Sequence, residues 1–268
     1  MTFNSEKIAS DFLELASEQR LSILKNLEEK HLNISKLAKI LDATNPEVHR
    51  NIGRLSKNGL ILKNPEGNYE LTTYGKVILA QIPSISFVSE NKDFFNLHNL
   101  SDVETKFIQR IGALQSKKKI KGFVKVLEKW KKMQEDAEEF IYNILFEVPY
   151  SKDVIEVISN KLEKGIHIKS IFSETAIIPD DRKKVFEEMD FQKYIIKGNL
   201  ERKITKNKAV GLLITEKEAG VFFQRSDGEQ DLSEMLVSTE IEFRDWCIDY
   251  FEHTWKTSNA FLESKLNE

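Results

Sequence analysis

Residues 44–72 read TNPEVHRNIGRLSKNGLILKNPEGNYELT, and this stretch decides the fold. Thr44 and Asn45 are both helix-capping residue types. Pro46 follows at the first turn, where its missing N–H removes a donor that no helix uses. Val48, Ile52 and Leu55 then recur at helical spacing and define a buried face. The remaining positions, Asn45, Glu47, His49, Arg50, Gly53, Arg54 and Lys57, are left to solvent. Gly59 is expected to end the helix, since a left-handed closing residue favours glycine. Leu60-Ile61-Leu62-Lys63 and Tyr69-Glu70-Leu71-Thr72 flank the turn Asn64-Pro65-Glu66-Gly67-Asn68, the pattern of a hairpin.

Upstream, Ser5 to Leu15 is expected to be helical, with Ile8, Phe12 and Leu15 on one face. Ser17 is placed to cap a second helix carrying Leu21, Ile23, Leu24 and Leu27, and Ser35 a third carrying Leu37, Ala38 and Leu41. One further helix follows the hairpin. Helices, a turn, a helix and then a two-stranded wing make a winged helix-turn-helix, assigned to residues 1–82.

Residues 83–138 are expected to form a helical linker of two amphipathic helices, with Phe107, Ile108, Ile111 and Leu114 on the first and Phe123, Val124, Leu127 and Trp130 on the second. The back half, 139–268, alternates. A strand near Phe140–Phe146 leads into a helix capped by Ser151 and stopped by Gly165. A strand from Ile166 to Phe172 and a helix from Asp180 to Met189 follow. Ala209–Ile214 and Ala219–Phe223 make a hairpin, and a long helix starts near Ser233. Such alternation argues for a mixed-sheet α/β domain, so the fold class is α/β, or α+β overall.

Composition limits the function. Charged residues make up 31% of the 268 and hydrophobic residues 40%, which excludes a disordered chain and a membrane-embedded one. The first twenty residues carry Glu6, Asp11, Glu14 and Glu18, so no signal peptide is expected. Cys247 is the single cysteine, which leaves no intrachain disulfide, and a cytoplasmic location is expected. The five histidines are scattered, and neither a metal nor a cofactor is expected. The net charge of -3 is unevenly distributed: residues 1–82 hold 11 Lys/Arg against 10 Asp/Glu, residues 83–138 hold 11 against 8, and residues 139–268 hold 18 against 25. An acidic back half therefore masks a near-neutral to basic front.

The runs Ser17-Glu18-Gln19-Arg20-Leu21-Ser22-Ile23-Leu24, Ile34-Ser35-Lys36-Leu37-Ala38, Val48 to Leu55 and Asn58-Gly59-Leu60-Ile61 resemble the ArsR-like and TrmB-like winged-helix regulators. A second resemblance rests on Phe94-Phe95 to His98, Leu100-Ser101 and Trp246 to Trp255. These are similar to the sensor domain of archaeal methanogenesis (filament) regulators, which is related in fold to the phospholipase-D superfamily. This resemblance implies an archaeal setting and a sensor following the winged helix.

The expected function is a homodimeric, sequence-specific DNA-binding transcriptional regulator whose C-terminal domain senses a small-molecule effector or a partner. Asn45, His49, Arg50 and Arg54 are the expected base-edge readers, because Arg pairs with guanine and Asn with adenine in the major groove. Lys36, Lys57 and Lys63 are the expected phosphate contacts. The helix start, with its free N–H groups, also suits a phosphate. Arg202 and Arg225 are the expected anion anchors for an effector. The lysines of 117–121 and 125–132 are read as solubilising, and the stripe Phe243, Trp246, Tyr250, Phe251 and Trp255 as core or dimer interface. Two alternatives stand. One is a winged helix that binds protein rather than double-stranded DNA. The other is a phosphodiesterase, since His167-Ile168-Lys169 and Glu174 approximate the phospholipase-D signature His-x-Lys-x4-Asp. Only one copy is present and Glu replaces Asp, so the chain is read as no enzyme.

Overall fold

Asn4 begins the first helix by accepting the Lys7 amide on its side chain, and α1 then runs Ser5–Leu15. The structure is a computed structural model that describes residues 4–115, 117–147, 152–177, 189–206 and 209–261. It divides into one unit ending at Pro83 and a second beginning at Ser84.

In the first unit α2 (Glu18–Glu29), α3 (Ile34–Leu41) and α4 (Asn45–Lys57) precede the hairpin of β1 (Ile61–Lys63) and β2 (Tyr69–Leu71), and α5 (Thr73–Leu79) follows. Ile23, Leu24 and Leu27 of α2, Leu37 of α3, and Val48, Ile52 and Leu55 of α4 meet in one core, closed by Leu60, Ile61 and Leu71 at the hairpin. Leu32 pairs with Tyr69 in an isolated bridge, which ties the turn before α3 to the wing. Two local expectations change. The cap of α3 is Asn33, whose side chain accepts the Lys36 amide, and Ser35 lies inside the helix. The expected buried face of α1 is also displaced: Phe12 and Leu13 are exposed, and the buried residue is Glu14.

The second unit corrects the linker expectation for 83–138. Helices α6 (Ile82–Glu90), α7 (Lys92–Leu97) and α8 (Thr105–Gln109) lead through a 3-10 turn into β3 (Lys118–Lys121), and α9 spans Phe123–Asp136. β3 is an edge strand of the main sheet. Its lysines hid it in the sequence, and charged residues are a usual way of protecting a sheet edge. Then come β4 (Phe140–Glu147), α10 (Lys152–Glu163), β5 (His167–Ile177), α11 (Gln192–Ile196), β6 (Leu200–Thr205), β7 (Val210–Thr215), β8 (Ala219–Phe223), β9 (Glu234–Ser238), α12 (Ile241–Thr257) and β10 (Asn259–Ala260). The eight strands order as β10-β6-β5-β4-β7-β8-β9-β3. The β4–β5 and β5–β6 pairs are parallel and the others antiparallel. The overall fold is α/β with a mixed sheet.

Alternate residues of the strands feed two cores. Ile144, Ile171, Leu212 and Val221 pack with Phe243, Trp246, Tyr250 and Phe251 of α12. Ile141, Ile168, Leu213 and Phe222 pack with Val126 and Trp130 of α9 and with Leu162 of α10. The aromatic stripe is thus core, except that Trp255 at its end is only partly buried. The long helix starts at Ile241 rather than near Ser233, because Met235-Leu236-Val237 is a wholly buried run that pairs as β9. The expected cap Ser151 and most of the expected helix Asp180–Met189 lie outside the described residues.

Candidate nucleic-acid interface

Helix α4 is fixed at both ends by its own sequence. The Thr44 side chain accepts the Glu47 amide while the Glu47 carboxylate accepts the Thr44 N–H at 2.9 Å, a reciprocal capping box. The carboxylate also accepts the Thr44 hydroxyl at 2.8 Å. These bonds hold the Glu47 acid below its usual range, with the backbone N–H the largest cause. Two of the N–H groups at this helix start, those of Thr44 and Glu47, are thus already bonded within the chain. At the other end Gly59 takes φ +73°, the Leu60 amide reaches the Leu55 carbonyl, and the Gly59 amide reaches Ser56. This pair of bonds closes the helix and turns the chain directly into the wing.

With Val48, Ile52 and Leu55 buried, the structure leaves Asn45, His49, Arg50, Gly53, Arg54 and Lys57 exposed on α4. Lys36 and Lys39 stand exposed on α3, and Lys63 at the end of β1. At the wing tip Gly67 has φ +84°, the Asn64 side chain accepts the Asn68 amide, and the ammonium of Lys63 lies 6.0 Å from the centre of the Tyr69 ring.

Two residues of α4 are tied to the rest of the unit. Asn51 donates to the Gln19 side chain on α2 at 2.6 Å. Arg54, expected at a base edge, instead donates to the Glu14 carboxylate through Nε at 2.8 Å and through its terminal nitrogen at 2.6 Å. Arg20, itself buried, lies 3.7 Å from the same carboxylate and also donates to the Leu13 carbonyl. Glu14 thus joins α1, α2 and α4, which explains why a carboxylate rather than Phe12 faces inward.

The hydrogen bond from Arg54 is the largest influence on Glu14 and lowers its pKa below the ordinary 4.5. A lowered folded-state pKa means stabilisation that is present above the unfolded value and lost as pH falls through the folded one. Acidification below about pH 4.5 should therefore weaken this unit. Glu14→Gln should cost about 1–3 kcal/mol at neutral pH by leaving the two guanidinium groups without their carboxylate. In the variant, the part of the acid-induced fall in unfolding midpoint due to this group should disappear. A wild-type and a variant that lose stability in parallel from pH 6 to pH 3 would contradict that role.

The other expected sites are dispersed. Arg202 on β6 lies with its guanidinium 4.3 Å from the Phe261 ring centre, while Arg225, after β8, pairs with Asp227 at 2.8 Å. β5, β4 and β7 separate their strands, so the two arginines do not form one anion site. His167 is exposed at the start of β5, and Lys169 lies 3.3 Å from the Glu201 carboxylate and 5.3 Å from the Trp255 ring centre. Lys119 and Lys121 pair with Glu234, Lys129 with Glu218, and Lys132 with Asp136. Among the described residues no three His, Cys, Asp or Glu side chains gather as metal ligands. Cys247 is buried, which pushes its thiol pKa well up.

A family model described as the HVO_A0261 N-terminal domain matches residues 9–91, the span from α1 to the end of α6. No curated protein matches this chain. Among solved structures the chain is similar to TrmBL2, an archaeal chromatin protein described with a novel mode of DNA binding, at 12% identity over 91% of this chain and 94% of that one, with a TM-score of 0.41. It is also similar to NucT from Helicobacter pylori, at 13% identity over 52% of this chain and 92% of that one, TM-score 0.39. Nuc from Salmonella typhimurium, a phospholipase D family member, aligns at 10% identity over 54% of this chain and 98% of that one, TM-score 0.40.

Proposed function

We propose that this chain is a DNA-binding transcriptional regulator and not an enzyme, with α4 as the helix that enters the major groove. One observation carries the reading. The solvent face of α4 presents Asn45, His49, Arg50 and Lys57 with no carboxylate left free among them, since the only acid of that helix, Glu47, is folded back onto the Thr44 cap. Side chains from the start and middle of such a helix reach base edges, while cations at its margin hold phosphates. Because Arg54 is engaged by Glu14, base reading falls to Asn45, His49 and Arg50. Lys36, Lys57 and Lys63 are the phosphate contacts.

Action as a homodimer is part of the proposal. Phe12 and Leu13 on α1 and Tyr74 and Val77 on α5 are 42–60% exposed, and burial, with the Asp11 carboxylate of α1 adding to it, raises the Tyr74 hydroxyl pKa. A second copy covering this apolar surface would set the spacing of two reading helices. Sensing of an effector is assigned to the sheet unit, and cytoplasmic location follows from the regulatory role.

The test is binding to labelled 30-base-pair duplexes, both a mixed-sequence pool and a duplex enriched from a random library, across a salt series. Log affinity should fall linearly with log salt. Lys57→Ala should weaken both probes alike and lower the salt slope by about 1. Arg50→Ala should cost about 1–3 kcal/mol on the enriched duplex and relax preference at one position. An absence of salt-dependent binding, or an Arg50 variant as selective as its parent, would overturn the assignment.

A further inference from the structure

Gly53 sits in the interior of α4, seven residues past Pro46 and four before the end of the helix at Lys57. Glycine is the poorest helix former after proline, because it loses the most backbone freedom on folding. A glycine in a helix interior costs stability against alanine, a cost that a structural or functional need can offset. Such needs are usually met inside the protein, by a left-handed backbone or by a neighbour too close for a Cβ. Neither holds at Gly53. Its φ is not positive, and a Cβ built on it would find nothing within 4 Å. The contrast with Gly75 in α5 is direct, because a Cβ there would stand 2.0 Å from the Leu60 carbonyl oxygen. Gly53 is also exposed, and so are His49 and Arg50 on the turn before it and Ser56 and Lys57 on the turn after it.

We infer that Gly53 is the point of closest approach between α4 and DNA, a gap on the helix surface that lets a base edge or the sugar-phosphate backbone come up to the helix main chain. The inference rests on the DNA-binding reading above and adds a specificity-determining residue to it. The chemistry fits the neighbours. His49 and Arg50 on one side and Lys57 on the other bracket the gap with a hydrogen-bonding ring, a guanidinium and an ammonium, all suited to base edges and phosphates. A side chain at 53 would hold those groups off the duplex. Inside the free protein the same side chain would displace nothing and would favour the helix.

The two effects have opposite signs, and that makes the inference testable with the full-length chain. Gly53→Ala should raise the midpoint of thermal unfolding of the winged-helix unit by about 4–8 °C, the shift expected for replacing glycine by alanine in a helix of a small unit. It should weaken binding to the enriched 30-base-pair duplex at least threefold. Gly53→Met, longer and still helix-favouring, should keep most of the thermal gain and weaken binding more than tenfold. Binding unchanged in both variants, with the wild-type still showing salt-dependent affinity, overturns the role of Gly53 and leaves the DNA-binding reading intact. A fall in the unfolding midpoint of Gly53→Ala also overturns it, since glycine would then serve the fold. A wild-type chain that does not bind either duplex removes both the reading and the inference.

Discussion

Replacing Gly75 by alanine should destabilise the winged-helix unit by about 3 kcal/mol or more, at the upper end of what overpacking costs. The added Cβ would lie 2.0 Å from the Leu60 carbonyl oxygen and 3.0 Å from its carbon. Those are main-chain atoms that no side-chain rotation can move. The region is also bonded on every side. The Thr72 hydroxyl donates to the Gly59 carbonyl at 2.6 Å and accepts the Gly75 amide at 2.9 Å, and the Thr72 amide donates to Leu60. Relief of the clash therefore requires α5 to withdraw from the root of the wing. Amide hydrogen exchange should show the loss as faster exchange in β1, β2 and α5, at the low-stability end of the unit. Protection equal to the wild-type in those segments would mean that α5 is not seated as the structure has it.

Gly75 also shows where the sequence stops being legible. Read locally, a glycine in a seven-residue helix is a weakness, and nothing within a few residues says that the Leu60 carbonyl occupies its Cβ position. The α4 segment was legible for the opposite reason. Its cap, its period, its closing glycine and its hairpin turn all act within a few residues of one another, and local rules agree there with the tertiary outcome. β3 and β6 were hidden by charge. Lys118-Lys119-Ile120-Lys121 and Leu200-Glu201-Arg202-Lys203 lack a plain apolar alternation, and their pairing comes from Glu234 across the edge and from β5 beside β6. β9 was absorbed into the following helix because three consecutive buried residues fit either element.

The candidate interface divides in the same way. Periodicity placed Asn45, His49, Arg50 and Lys57 on the exposed face, and the structure puts them there. The engagement of Arg54 could not be read, since its partner Glu14 lies 40 residues away and an ion pair over that separation leaves no periodic trace. No local signal marked it: the apolar period of α1 placed Ile8, Phe12 and Leu15 inward and left Glu14 off that face. Sequence reading gave Arg54 and Arg50 the same role because both are arginines on one helix. The structure separates them by what each can reach.

Trp246→Ala should cost the sheet unit about 3–5 kcal/mol, the range for truncating a fully buried aromatic. Trp246 is 0% exposed, its indole N–H donates to the Phe107 carbonyl at 3.1 Å, and its ring stacks on Tyr250 at 5.5 Å and meets the edge of Phe107 at 5.7 Å. Alanine would leave a cavity between α12 and the 3-10 segment after α8 and would remove one of the two donors to the Phe107 carbonyl, which keeps the Arg110 amide. The cost of the lost hydrogen bond adds to that of the cavity. Trp246→Phe separates them: it keeps most of the volume and loses only the donor, so its cost should be well under half that of alanine. All three tryptophans of the chain lie at 130, 246 and 255, so fluorescence of Trp130 and Trp255 in a urea titration follows the sheet unit in both variants. If Trp246 were part of a surface kept for a partner, truncation would leave the midpoint near that of the wild-type. A large drop assigns the aromatic stripe of α12 to the core and leaves sensing to be sought elsewhere on the sheet.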